Sequence, residues 1–181
     1  GQGWKATQLA MRRRVKPFVC TTTLKAPSAF FNTSHKDFME QAISKYCGYF
    51  WAGHFLYLGR CPANTVHMHY ALQVIVNREG LFQLRRDEVS IECGGVIVGF
   101  GSPHQLLSPG NAHSWIHLLI DHESDVAKAI AKRHLGEGDF KVLDGALLKR
   151  LRACIEVPGN FLGSCRQAGN VYDKLVAELG G

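Results

Sequence analysis

The feature that most constrains the fold is a run of short β-type segments between Phe50 and Ile120, each closed by turn residues. Phe50–Gly59 is aromatic and β-rich. Val66–Val76 alternates, and Asn77, Arg78, Glu79 and Gly80 then turn the chain into Leu81–Arg85. Further strands are expected at Val89–Glu92, Val96–Phe100, His104–Ser108 and Ser114–Ile120. The connectors Gly94-Gly95, Gly101-Ser102-Pro103 and Pro109-Gly110-Asn111 are built from residues that favour turn conformations. About seven short strands at this spacing predict an antiparallel sandwich or barrel.

After Asp121 the period changes. Ser124 is placed to cap a helix carrying Val126, Ala127, Ile130 and Ala131. Asp144 is placed to cap another with Leu147, Leu148, Leu151 and Ile155, closed by Pro158. A last helix holds Val171, Leu175, Val176 and Leu179. The chain thus divides into a basic, irregular arm (1–33), a barrel led by a short helix from Ser34 (34–123) and a helical extension (124–181). Three consecutive amphipathic helices must bury their stripes on the barrel, on each other or on a second copy. A homodimer through these helices is the expectation.

Charge argues against a nucleic-acid surface. The net charge is +6, but residues 1–36 hold seven Lys and Arg and no Asp or Glu. From residue 37 onward fourteen Lys and Arg face all fifteen Asp and Glu, a formal charge of −1. A DNA-binding face needs positive charge clustered on a folded surface; here the excess sits in the arm. No apolar run approaches the roughly 18 residues of a membrane span, and no export signal is legible. The six cysteines show no C-x-x-C pair, so they read as reduced thiols of a cytoplasmic protein.

The chemistry-bearing residues concentrate in two segments. In the first, His67, His69 and Gln73 alternate along a strand and project from one face, with Val66, Met68, Leu72, Val74 and Val76 on the other. Two imidazoles so spaced can reach one ion or one ligand. The second segment carries Gly95, Gly99 and Gly101 and delivers His104 to the next strand. On the last strand His117 alternates with His113, Trp115 and Leu119; upstream, Trp51, Phe55 and Tyr57 share a face as core or pocket wall. No phosphate loop, nucleophile elbow or dinucleotide fingerprint is present.

Together the two segments resemble the paired motifs of the cupin superfamily. Gly59, His67, His69, Gln73 and Gly80 occupy the first motif; Gly95, Gly101 and His104 match the second, with Gly99 where proline is usual and Ser108 where asparagine is usual. The resemblance implies a mainly β, double-stranded β-helix (jelly-roll barrel) with appended C-terminal helices. Metal-binding cupins use the positions of His67, His69, Gln73 and His104. Gln73 is an amide where the family carries glutamate, so an anionic ligand is lost. His67, His69 and His104 remain a candidate centre for a divalent transition metal such as zinc, iron, nickel or manganese. The alternative is that the histidines hydrogen-bond an organic ligand directly.

The flanks narrow the likeness. Tyr57-Leu58-Gly59, His67–Gln73, Pro103-His104 and Leu118–Ser124 resemble the sensor half of AraC-type bacterial transcription regulators, over residues 50–181. What the resemblance implies is a small-molecule effector-binding domain that reports through its helices and is not itself an enzyme. Its ligand contacts would be His67, His69, Gln73, His104, Tyr57, Trp115 and His117. DNA contact is expected only of a longer parent carrying the helix-turn-helix units of those regulators. The rival expectation is a metal-dependent cupin enzyme of dioxygenase or isomerase type.

Overall fold

A computed structural model of the 181-residue chain describes residues 18–20, 47–59, 64–107, 115–154 and 165–180. The short helix expected from Ser34 lies outside the described residues, as do His113 and Ser108.

Among the described residues, ten strands form two antiparallel sheets. The larger contains β1 (Phe18–Cys20), β2 (Cys47–Trp51), β3 (His54–Gly59), β4 (Ala71–Asn77), β7 (Gly95–Val98), β9 (Trp115–Asp121) and β10 (Phe140–Val142), in the order β1-β2-β3-β9-β4-β7-β10. The smaller contains β5 (Phe82–Arg86), β6 (Val89–Cys93) and β8 (Gln105–Leu107), in the order β6-β5-β8. Three described helices follow or interleave: α1 (Asp125–His134), α2 (Gly145–Ala153) and α3 (Cys165–Gly180). The observed class is the expected one, a mainly β fold of facing sheets with C-terminal helices.

Register across the larger sheet sorts its side chains into two sets. Leu56, Leu118, Val74 and Ile97 form one continuous cross-strand row, and all four are buried. They pack beneath the helices with Ile130, Leu147, Leu151, Val171 and Leu175. The adjacent row, Tyr57, His117, Ile75 and Val96, points the other way. There Ile75 and Val96 meet Phe82, Leu84 and Leu106 of the smaller sheet. Period-2 alternation therefore gives each central strand one face for the helices and one for the space between sheets.

Both caps form as the sequence indicates. Ser124 Oγ accepts from Ala127 N at 3.1 Å, and Asp144 Oδ1 accepts from Leu147 N at 2.7 Å. Close approach of α2 to the sheet depends on Gly95, where an added Cβ would lie 3.0 Å from Leu148 Cδ1 of α2 and 2.6 Å from Leu143 Cδ1 just before it. The helical stripes are buried within the one chain. Val126, Ala131, Leu148 and Val176 on the same helices are only partly buried.

Other details depart from the sequence reading. Phe50–Gly59 is not one strand, because Ala52 and Gly53 (φ +80°) turn β2 back onto β3. Trp51 therefore does not share a face with Phe55 and Tyr57. It lies 5.9 Å from the Tyr172 ring of α3, centroid to centroid. Residues 18–20, within the segment read as irregular, pair with β2, and β10 joins the sheet from within the segment read as helical. No described helix is long and apolar enough to cross a membrane.

Candidate metal and ligand site

His67 and His69 do not reach the site along one strand with Gln73. β4 begins only at Ala71, and the preceding residues run beside β8 at the edge of the smaller sheet. His67 N donates to the His104 carbonyl at 3.0 Å, and His104 N donates back to the His67 carbonyl at 2.9 Å. Asn64 extends the pairing by accepting from Leu106 N at 2.7 Å on its side-chain oxygen. The chain leaves this pairing before β4 begins at Ala71, so His67 lies beside the smaller sheet while Gln73 lies in the larger one. Val66 and Met68, expected on a buried apolar face, are 65% and 52% exposed for the same reason.

The backbone pairing brings three rings together. Centroids are 4.8 Å apart for His67 and His69, 4.6 Å for His67 and His104, and 5.9 Å for His69 and His104. One ligand atom from each lies within 4.8 Å of the other two. Gly101, at φ +70°, makes the turn that delivers His104, and its N–H donates to the His69 carbonyl at 2.7 Å.

Hydrogen bonds set the tautomers. His67 Nδ1 donates to the Thr65 carbonyl and His104 Nδ1 to the Ser102 carbonyl, each at 2.8 Å. With the proton on Nδ1, each ring keeps its Nε2 lone pair free, the orienting arrangement common to metal-binding histidines. His104 Nε2 is buried and has no partner in the protein. Burial lowers the His69 pKa, with further lowering from His67 and His104. Burial also lowers that of His104, against the opposing hydrogen bond to Ser102. Three convergent imidazoles, two of them oriented through Nδ1, fit a divalent metal, and His67, His69 and His104 are positioned to bind one.

The remaining candidates lie on the inner wall of the larger sheet. Gln73 and His117 are linked by a 3.4 Å contact between the amide nitrogen and Nδ1. Trp115 stacks on His117 with centroids 5.7 Å apart, and Tyr57 meets the same ring edge-on at 5.7 Å. Burial, then the charges of His69, His67 and His104, push the His117 pKa down to about 3. Gln73 Oε1, His117 Nε2 and Trp115 Nε1 are buried without partners. All seven residues singled out from sequence are described, and six fall into two adjoining groups: the three-histidine cluster and the wall of Gln73, Trp115 and His117. Tyr57 flanks His117.

Two other histidines have local roles. His54 lies on the helix side, stacked on Tyr172 at 4.6 Å, and its pKa is lowered by burial. His122 Nδ1 donates to the Tyr70 carbonyl at 3.1 Å and its ring stacks on Phe100. Sequence reasoning missed Thr65, Ser102 and Asp139. The first two act through backbone carbonyls, which no side-chain pattern reveals. Asp139 accepts Gly99 N at 2.7 Å on its carbonyl, and Ser102 Oγ at 3.5 Å. A cleft of about 240 Å³ between α1 and the Gly99–Ser102 turn is lined by Phe100, Ser102, His122, Lys128 and Asp139 among others.

No protein-family model and no curated protein matches the chain. Solved structures to which it is similar include an AraC-like transcriptional activator, CuxR, at 18% identity and a TM-score of 0.48, covering 76% of this chain and 56% of CuxR. A Cupin 2 conserved barrel domain protein from Salinispora arenicola has 14% identity and a TM-score of 0.37, covering 60% of this chain and 100% of that one. Protein NMB1881 from Neisseria meningitidis has 16% identity and a TM-score of 0.37, covering 50% and 99%.

Proposed function

We propose that the chain is a small-molecule-binding sensor domain of AraC type, its pocket centred on a divalent metal held by His67, His69 and His104. The observation that carries this reading is the convergence of those three side chains, with the Nδ1 protons of His67 and His104 committed to backbone carbonyls. A bound metal would supply Lewis acidity and open coordination positions for a ligand. Gln73, His117, Trp115 and Tyr57 would line the ligand's far side. Sensing is favoured over catalysis by the likeness of residues 50–181 to the sensor half of AraC-type regulators.

A hydrogen-bonded route from the site to the helices supports a reporting role. Ser102 holds His104, and Asp139, just beyond α1, holds Ser102 and Gly99. At the C-terminal end of α1, His134 Nε2 donates to the Leu179 carbonyl at 2.7 Å and Arg133 to the Gly180 carbonyl at 3.0 Å, both in α3. A ligand shifts such an element only by binding its two states unequally.

The test is a zinc titration of the full chain followed by hydrogen exchange. One equivalent is expected to bind and to slow exchange at residues 101–104 and along α1. Absence of zinc binding contradicts the metal-centred pocket. Binding with no change in α1 or α3 contradicts the reporting role.

A further inference from the structure

Beside the three-histidine cluster, the inner wall of the larger sheet carries three buried polar atoms without partners, Gln73 Oε1, His117 Nε2 and Trp115 Nε1, and His104 Nε2 within the cluster is a fourth. Gln73, His104 and Trp115 are almost wholly buried as residues, at 3%, 3% and 0% exposure. Buried polar groups in folded proteins are nearly always hydrogen-bonded, so such a row marks the place of a polar ligand or of water that a ligand displaces.

Among the described residues, no carboxylate acts on this wall. The charges acting on His69, His104 and His117 are those of other histidines. A divalent ion on three neutral imidazoles would therefore keep its whole charge in a partly buried place. The ligand that cancels it is an anion, and a divalent ion of this kind prefers oxygen beside nitrogen in its remaining positions.

The hydrogen-bonding groups beyond the ion are mixed. If the Gln73 amide nitrogen donates to His117 Nδ1, Gln73 Oε1 is a free acceptor and His117 Nε2–H a free donor. With the amide turned the other way, the pair still leaves one donor and one acceptor. Trp115 Nε1–H adds a second donor beside His117. A ligand with a carboxylate and a neighbouring hydroxyl or oxo group satisfies both the ion and this mixed wall.

We propose that the pocket takes a small hydroxy- or oxo-carboxylate, bound through oxygen to the metal on His67, His69 and His104 and read at its far end by Gln73, His117 and Trp115. The proposal rests on the metal-centred reading above and narrows its ligand from any small molecule to an anionic oxygen chelator.

The test uses the full chain loaded with cobalt(II), whose visible absorption reports ligand exchange at the ion. Three two-carbon probes separate the contributions: glycolate with carboxylate and hydroxyl, acetate with carboxylate alone, and ethylene glycol with hydroxyls alone. Glycolate is expected to shift the spectrum with at least about tenfold higher affinity than acetate, and ethylene glycol to leave it unchanged. Gln73→Leu removes the amide that faces His117 and is expected to weaken glycolate about tenfold while cobalt stays bound. Trp115→Phe removes one donor and should weaken glycolate a few-fold at unchanged cobalt affinity; it carries the test should Gln73→Leu fail to fold. Cobalt binding without a glycolate response, an equal response to ethylene glycol, or unchanged glycolate affinity in the folded variants overturns the proposal. Failure of the parent chain to bind cobalt overturns the metal reading itself.

Discussion

Each central strand serves two different interiors. On β4, Leu72, Val74 and Val76 pack under the helices, while Gln73 and Ile75 point between the sheets. Among the described residues, the helix side is a broad apolar cluster with a single unpartnered buried polar atom, His54 Nδ1. The side between the sheets has an apolar end at Phe82, Leu84 and Leu106 and a polar end with four such atoms. Close-packed apolar contact is what stability requires. Unsatisfied polar atoms in a barrel wall are what binding requires, so the difference separates the residues that hold the fold from those available for function.

The largest expected effect is on the helix side. Leu118 is fully buried in the row beneath the helices, one residue from His117 but on the opposite face. Leu118→Ala is expected to cost about 2–5 kcal/mol of unfolding free energy in a denaturant titration. The folded fraction should still bind metal. Loss of metal binding in that fraction would break the division between the two interiors.

His69→Ala is the converse. It should reduce metal affinity at least about 100-fold, more than outer supporting partners typically contribute. Because His69 is only partly buried, stability should change by no more than about 1 kcal/mol. A calorimetric titration with zinc and a denaturation curve on the same protein check both halves.

Asp144→Ala removes the N-cap of α2, whose carboxylate accepts from Leu147 N. A loss of about 0.5–2 kcal/mol is expected in the same denaturation assay, with zinc affinity unaltered.

The smallest effect is a pH dependence at His54. Burial against Tyr172 lowers its folded pKa below the unfolded value of 6.5, so the unfolded chain binds this proton more readily. The stability associated with neutral His54 is fully present above 6.5 and declines as pH falls below it. His54→Gln should flatten that part of the stability profile between pH 7 and 5. An unchanged slope would show that His54 does not couple protonation to helix packing.

Much of this organisation is legible in the residues. Ser124 and Asp144 announce their helices because a capping side chain acts within three residues of itself. The association of His67, His69 and His104 is legible from two motifs. The route by which they meet is not, because the chain leaves its pairing with His104 before β4 begins at Ala71 while the alternation of residue types runs on unbroken. The turn at Ala52 and Gly53 hides inside an aromatic run, and β10 has three residues, too few to show a period. Thr65 and Ser102 escape notice since their carbonyls, not their side chains, orient the imidazoles.

X-ray absorption at the zinc edge of the singly loaded chain tests the central claim most directly. The account predicts three imidazole ligands at about 2.0–2.1 Å with oxygen completing the shell. Fewer than three imidazoles, or a sulfur ligand from a cysteine, would contradict it.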